Sequence, residues 1–221
     1  MSTWRHRFVT DAAEWRSAGL ERRRRVVRPL SATTAEVDGK MVTAYASNDY
    51  LGLSRDPRLI EAVAAGARLY GVGAEGRGSV QALGLQSSAI VYMGTLGKSA
   101  GLSGAFIAAD RLIIDRPIQR ARLATYRDRL QRASSAWKPY RLLCSATAIQ
   151  PLIIGDNVAT VEIADALLRE GLWVPAIRPP TVPQGSARLR ITLSAAHSAA
   201  DIDCLCKALS QVIATSAANR A

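Results

Sequence analysis

A chain of 221 residues, 48% hydrophobic and 21% charged, has the composition of a globular protein and is long enough to bury a core. Its formal charge of +11 calls for an anionic partner, a demand that nucleic acid, a membrane surface or a phosphorylated substrate would each satisfy. No apolar run approaches the roughly 18 residues of a membrane span, and MSTWRHRFVT lacks the apolar centre of a signal peptide, so a cytoplasmic protein without membrane contact is expected. Cys144, Cys204 and Cys206 are odd in number and lack CxxC spacing; reduced structural cysteines are expected, with no disulfide framework or zinc site.

Residues 11 to 27 read as a helix that opens at Asp11 with Glu14 three positions on and closes in Arg22, Arg23, Arg24 and Arg25. Four adjacent arginines surround a helix, so some reach outward, to solvent or to a carboxylate or phosphate. Met41 to Ala46 reads as a strand and runs into SNDYLGLS at Ser47 to Ser54, where Asn48, Asp49 and Gly52 are turn formers. That loop is either a plain connection or a ligand-facing edge. Asp56 caps a helix with Pro57 in its first position, Leu59, Ile60, Val63, Ala64 and Ala67 on its apolar side, and Gly71 at its end. Gly71, Gly73 and Gly76 spell GxGxxG, but a helix precedes them where a dinucleotide fingerprint requires a strand. The match is a coincidence of spacing.

The stretch Ser88 to Asp110 sets two short apolar runs, Ala89 to Met93 and Ala105 to Ala109, around a loop that holds Lys98. Both runs have the length and content of buried strands. GTLGKS ends like a phosphate-binding P-loop, yet the glycine required five positions before Gly97 is Tyr92. Two readings of Lys98 remain: a solvated lysine in a glycine-rich turn, or a lysine that holds pyridoxal phosphate as a Schiff base, with Thr95 on the phosphate.

Asp115 to Arg132 reads as a helix with arginines at 116, 120, 122, 127, 129 and 132, either a solvated face or a surface for an acyl carrier or RNA. The remainder reads as a small α/β unit. Its elements are a strand Ala148 to Ile154, a helix Val158 to Glu170 ended by Gly171, a strand Leu172 to Ile177, a strand Arg188 to Leu193, and a last helix capped by Ser198 and Asp201. His197, alone beside that cap, reads as structural.

Taken in order, ASNDYLGLS, GAEGRGS, GTLGKSAGLSGAF, AIQPLIIGDN and GLWVPAIRPPTVPQGSARLRITLSAAHS resemble the α-oxoamine synthases, pyridoxal-phosphate acyltransferases of fold type I. AIRPPTVP at Ala176 to Pro183 is similar to the branch of that family in biotin synthesis, which joins L-alanine to a pimeloyl thioester of coenzyme A or acyl carrier protein. The resemblance implies an α/β fold with three parts: an N-terminal helical arm over 1–40, a reduced cofactor-binding large domain over 41–133, and a small C-terminal α/β domain over 134–221. It also implies a homodimer. It places the cofactor on Lys98, which then serves as general base, and on Thr95. Arg178 and Asn48 would take the amino-acid carboxylate, Thr181 the substrate nearby, and Arg22 the pimeloyl carboxylate.

The family also supplies an Asp to the cofactor's ring nitrogen and a His to stack on its ring, both upstream of the lysine. This chain has no Asp between Asp56 and Lys98 and no His between His6 and His197. A missing central block joined near Tyr70 to Ala74, with a smaller gap near Tyr126, accounts for both, and implies a weak or inactive enzyme. Two other classes stay open: a non-catalytic protein that keeps a dimerisation surface, and a basic nucleic-acid binder, the latter disfavoured because few aromatics accompany the arginines.

Overall fold

The computed structural model describes residues 11–53, 55–57, 60–61, 92–95, 105–108, 117–143 and 145–218. By contacts the chain divides into residues 1–55 with 121–221, and residues 56–120. Lys98, the GxGxxG glycines, Cys144 and most of the helix expected after Asp56 lie outside the described residues; residues 57, 60 and 61 of that helix are helical.

The C-terminal core follows from alternation in one strand. In β10 (Ala187–Thr192), Ala187, Leu189 and Ile191 are buried while Arg188 and Arg190 are half-buried, as a period of two requires. It pairs antiparallel with β7 (Ile149–Gly155) and with β9 (Ala176–Ile177), and β6 (Arg141–Leu142) pairs with the far edge of β7. Two helices cover this sheet. The first, α2 (Asn157–Arg169), starts where the Asp156 carboxylate accepts the Ala159 N–H at 2.7 Å and buries Ala159, Ile163 and Leu167 at four-residue spacing. It stops at Gly171, whose φ of 78° is the left-handed C-terminal position. The last helix, α3 (Ala199–Ala218), opens on the expected reciprocal cap: the Ser198 N–H donates to Asp201 at 2.7 Å and the Asp201 N–H to the Ser198 hydroxyl at 3.1 Å. Its buried Ile202, Leu205, Leu209 and Ile213 make one face. Truncating any of these to Ala costs about 2–5 kcal/mol, because the cavity adds to the lost transfer energy.

Before that unit stands α1 (Pro117–Ala133), followed by a short 3-10 turn that buries Trp137. The indole N–H donates to the Ser210 hydroxyl of α3 at 3.0 Å, so a large aromatic is buried with its polar atom satisfied.

The N-terminal segment departs from its expectation. Helix covers only residues 11–17, and the arginine run is extended, leading to β1 (Val27–Pro29). Gly19 is the reason: at φ 65° it turns the chain outward, and a Cβ there would sit 2.9 Å from the Val158 backbone nitrogen. Beyond β1 come β2 (Thr34–Val37) and β3 (Lys40–Ala44), joined at Asp38 and Gly39, φ 50° and 81°. Those angles make a type I′ turn, and the Asp-Gly pair is its usual signal. β3 then pairs in parallel with β8 (Leu172–Trp173). The single strand expected over Leu172 to Ile177 is therefore two. Val174 and Pro175 interrupt it, and its halves belong to different sheets.

In the second unit, β4 (Tyr92–Thr95) and β5 (Ala105–Ala108) pair antiparallel with Thr95 opposite Ala105. The two strands expected around Lys98 form, with slightly shifted bounds.

His197 joins β3 to the C-terminal unit. Its ring stacks on Tyr45 with centroids 4.5 Å apart, Nδ1 accepts the Ser194 N–H at 2.9 Å, and Nε2 therefore carries the proton that faces the Ala44 carbonyl at 3.2 Å. Burial, the largest cause, lowers its pKa below 6.5, outweighing the carbonyl contacts and Asp201. The unfolded chain then binds more protons than the folded one, so stability rises with pH across this titration. The contribution is complete above 6.5 and is lost as pH falls towards the folded value. Urea unfolding between about pH 7.5 and 5.5 should show a steeper loss in the wild type than in His197→Gln; equal slopes would remove His197 from the acid response.

Candidate functional site

Three of the five arginines of α1 are structural ties. Arg122 donates to the Ala195 carbonyl at 3.0 Å, Arg127 to the Ala146 carbonyl, and Arg129 to Asp203 at 2.8 Å and to the Ala199 carbonyl. These three side chains are engaged within the unit and are not available as a free basic face.

Two clusters of polar side chains in the unit of residues 1–55 and 121–221 have the character of a binding site. The first gathers residues from three segments. Arg178 follows β9, and its half-buried guanidinium donates to the carbonyls of Gly19 and Glu21. Arg22 donates to the Thr181 hydroxyl at 3.1 Å across 159 residues of sequence. Together Arg22, Arg23, Arg178 and Thr181 line a cavity of about 240 Å³ that Ala176 and Ile177 complete. Burial first, then the charge of Arg22, lowers the Arg178 pKa below its ordinary value, with Asp165 opposing. A cavity with that field favours an anion. A groove of about 590 Å³ adjoins it along Arg16, Arg24, Arg25 and Trp173, but its charges are largely paired, Arg25 with Asp38 at 3.0 Å and with Asp165 at 2.8 Å. A further cavity, about 910 Å³ between α2 and α3, is lined by Glu162, Arg169, Glu170 and Gln211 and by none of the expected site residues.

The second cluster centres on Arg190. Its Nη2 donates to Asn48 Oδ1 at 2.7 Å, while its Nε is buried without a partner; two residues on, the Thr192 hydroxyl is also buried without a partner. A guanidinium that keeps a buried N–H unused is suited to a carboxylate. The expectation grouped Arg178 with Asn48. The structure instead joins Asn48 to Arg190 and sets Arg178 with Arg22 and Thr181. Arg190 went unnoticed because Arg-Leu-Arg-Ile-Thr-Leu reads as a half-buried strand, which gives its arginines no particular role. The usable signal was that the same alternation puts Arg190 and Thr192 on one face.

On the cofactor side, Thr95 ends β4 opposite Ala105, and Lys98 lies outside the described residues. Among the described residues no cluster of His, Cys, Asp or Glu fits a metal ion, and no helix is long and apolar enough to cross a membrane. Burial pushes the Cys206 thiol up to about 11, in keeping with an inert structural cysteine.

Comparison with known proteins fits this arrangement. Residues 118–209 match the family Aminotransferase class I and II. The fold is also that of solved serine palmitoyltransferases: one from S. paucimobilis, titled with a bound PLP-myriocin aldimine, has a TM-score of 0.69 at 14% identity over 99% of this chain and 100% of that one. Another, from Sphingomonas wittichii, has a TM-score of 0.66 at 14% identity over 98% of each. The chain thus carries the aminotransferase class I and II fold.

Within that class the sequence is similar to 8-amino-7-oxononanoate synthases. That of Polaromonas sp. (strain JS666) is 46% identical over 59% of this chain and 42% of its own length, and that of Paraburkholderia xenovorans 44% identical over 66% and 45%. The chain spans less than half the length of these relatives.

A double-mutant cycle tests the second cluster. Asn48→Ala and Arg190→Ala, alone and together, should give a coupling of about 1.5 kcal/mol in urea unfolding, as for a hydrogen bond to a charged group; additive effects would show that the pair is not formed.

Proposed function

We propose that the chain is a shortened pyridoxal-phosphate acyltransferase whose reaction class is the decarboxylative condensation of L-alanine with a pimeloyl thioester, a step of biotin synthesis. The products are 8-amino-7-oxononanoate, carbon dioxide and the free thiol. Similarity to the synthases supports this reading. The structural observation that carries it is the presence, in one unit, of two separate arginine clusters, as a reaction with two carboxylate-bearing substrates needs.

Each cluster has its own role. Arg190, oriented by Asn48, takes the alanine carboxylate and fixes which bond at Cα is aligned for cleavage. Arg22, Thr181 and Arg178 hold the free carboxylate of the pimeloyl chain, whose methylenes lie along Ala176 and Ile177. Lys98 and Thr95 hold the cofactor, and Lys98 takes the Cα proton. Pyridoxal phosphate, when bound, supplies the electron sink for that proton transfer. The protein is expected to act as a homodimer in the cytoplasm.

Turnover is expected to be low. A protonated ring nitrogen is what draws electrons from Cα, and it requires a carboxylate partner. The sequence between Asp56 and Lys98 offers no Asp. A non-catalytic dimerisation role draws its support from that same gap.

The two readings separate in one experiment. Purified protein with pyridoxal phosphate should show a visible absorption band that borohydride abolishes and that Lys98→Ala lacks, with alanine and pimeloyl thioester consumed far below the rate of a full-length relative. A band unaffected by Lys98→Ala would overturn the cofactor assignment, and turnover at the relative's rate would overturn the low-activity account.

A further inference from the structure

The stretch from Tyr45 to Leu53 is held along the end of β10 by a series of contacts. The Thr192 N–H donates to the Tyr45 carbonyl at 2.9 Å, the Ser194 hydroxyl to the Asp49 carbonyl at 2.7 Å, and the Ala195 N–H to the Tyr50 carbonyl at 2.8 Å. Gly52 adds a close approach: at φ 72°, a Cβ there would lie 2.7 Å from the Ala196 Cβ. Asn48 sits inside this series, and its Oδ1 accepts from Arg190 at 2.7 Å and from the Tyr50 hydroxyl at 3.4 Å.

Two of those three bonds to the backbone of the stretch come from main-chain N–H groups, which any residue but proline supplies. The third depends on a side chain, and it falls on the residue next to Asn48. Ser194 is 3% exposed, its hydroxyl also accepts the Ala196 N–H at 3.3 Å, and its own N–H donates to His197 Nδ1 at 2.9 Å. One residue thus joins the His197 ring to the Asn48 loop. The loop is stiff within itself. The Ser47 hydroxyl accepts the Asp49 N–H at 3.0 Å, the Asp49 carboxylate accepts the Leu53 N–H at 2.8 Å, and the Asp49 carbonyl also takes the Gly52 N–H at 3.2 Å. Such a loop moves as a body, so a hold on the Asp49 carbonyl sets where the Asn48 amide lies. The bond from Arg190 on its strand to Asn48 on this loop weakens steeply with misalignment.

We propose that Ser194 is a positioning residue for the Asn48–Arg190 pair: its hydroxyl fixes the loop so that Asn48 aims the Arg190 guanidinium. The consequence for substrate rests on reading that pair as the site of the amino-acid carboxylate; the positioning itself does not.

Ser194→Ala tests this in two ways in the isotope-labelled full chain: through the Arg190 Nε–H resonance without substrate, and through the dissociation constant of L-alanine with pyridoxal phosphate added. The variant should shift the Arg190 signal and raise the constant about fivefold, within the range of one neutral hydrogen bond. In an Asn48→Ala background the same substitution should move neither quantity further, because Ser194 acts through Asn48. A merely structural serine would lower stability to urea in both backgrounds and leave the Arg190 signal in place. An unmoved Arg190 signal in Ser194→Ala, or an equal further shift in the Asn48→Ala background, would overturn the proposal. A wild type that does not bind alanine would remove the carboxylate reading instead, and the Arg190 signal would still decide the role of Ser194.

Discussion

The stack of Tyr45 on His197 is the constraint on which both clusters depend. Asn48 and the arm come from the first 55 residues, Arg178 and Arg190 from the last 50, and β3 must be docked before they can meet. Around the stack, His197 reaches the Ala44 carbonyl, the Tyr45 hydroxyl donates to the Asp201 carbonyl at 2.6 Å, the Tyr126 hydroxyl donates to the His197 carbonyl at 2.7 Å, and the Thr192 N–H donates to the Tyr45 carbonyl at 2.9 Å. Buried groups so mutually satisfied fix one register, because any slip would leave several of them unpaired. From Tyr45 the chain has only three residues to reach Asn48, so docking Tyr45 against β10 is also what delivers Asn48 to Arg190.

The charge of the protein has a different meaning in structure than in composition. A value of +11 invited a polyanion. Much of the arginine population is instead tied to carbonyl oxygens or carboxylates: Arg122 and Arg127 brace α1, Arg25 bridges two aspartates, and Arg28 meets Glu36 at 2.7 Å. Exposed pairs of this kind contribute little stability each. Among the described residues, Arg22 and Arg190 by contrast bond only to neutral side-chain oxygens, those of Thr181 and Asn48.

Local signals carried far in the C-terminal third. Asp156, Ser198 with Asp201, and Gly171 mark helix ends through their own side-chain or backbone chemistry, and the alternation of β10 follows from burial on one face alone. Non-local pairings were not legible. Nothing in Leu172 to Ile177 says that its two halves join different sheets, since each half is defined by a partner far away in sequence, β3 or β10. The arm was misread because the Asp11 and Glu14 capping pattern spoke for a helix, while the close approach of Gly19 to Val158 is visible only in three dimensions. The Asp38-Gly39 hairpin was legible in principle through its turn chemistry. Among site residues, the resemblance set Thr181 beside Arg178 and Asn48 and gave Arg22 a separate role, whereas the structure bonds Arg22 to Thr181 and Asn48 to Arg190, pairings that depend on which strand edge each segment leaves.

The most direct test of two distinct carboxylate sites in one unit is a two-dimensional NMR titration of the isotope-labelled full chain, with pyridoxal phosphate added. L-Alanine and sodium pimelate are introduced in separate experiments. Alanine should shift resonances around Asn48, Arg190 and Thr192, and pimelate those around Gly19, Arg22, Arg178 and Thr181, with little overlap between the sets. Shifts of the same residues by both ligands, or of neither set by either ligand, would contradict the assignment of separate sites.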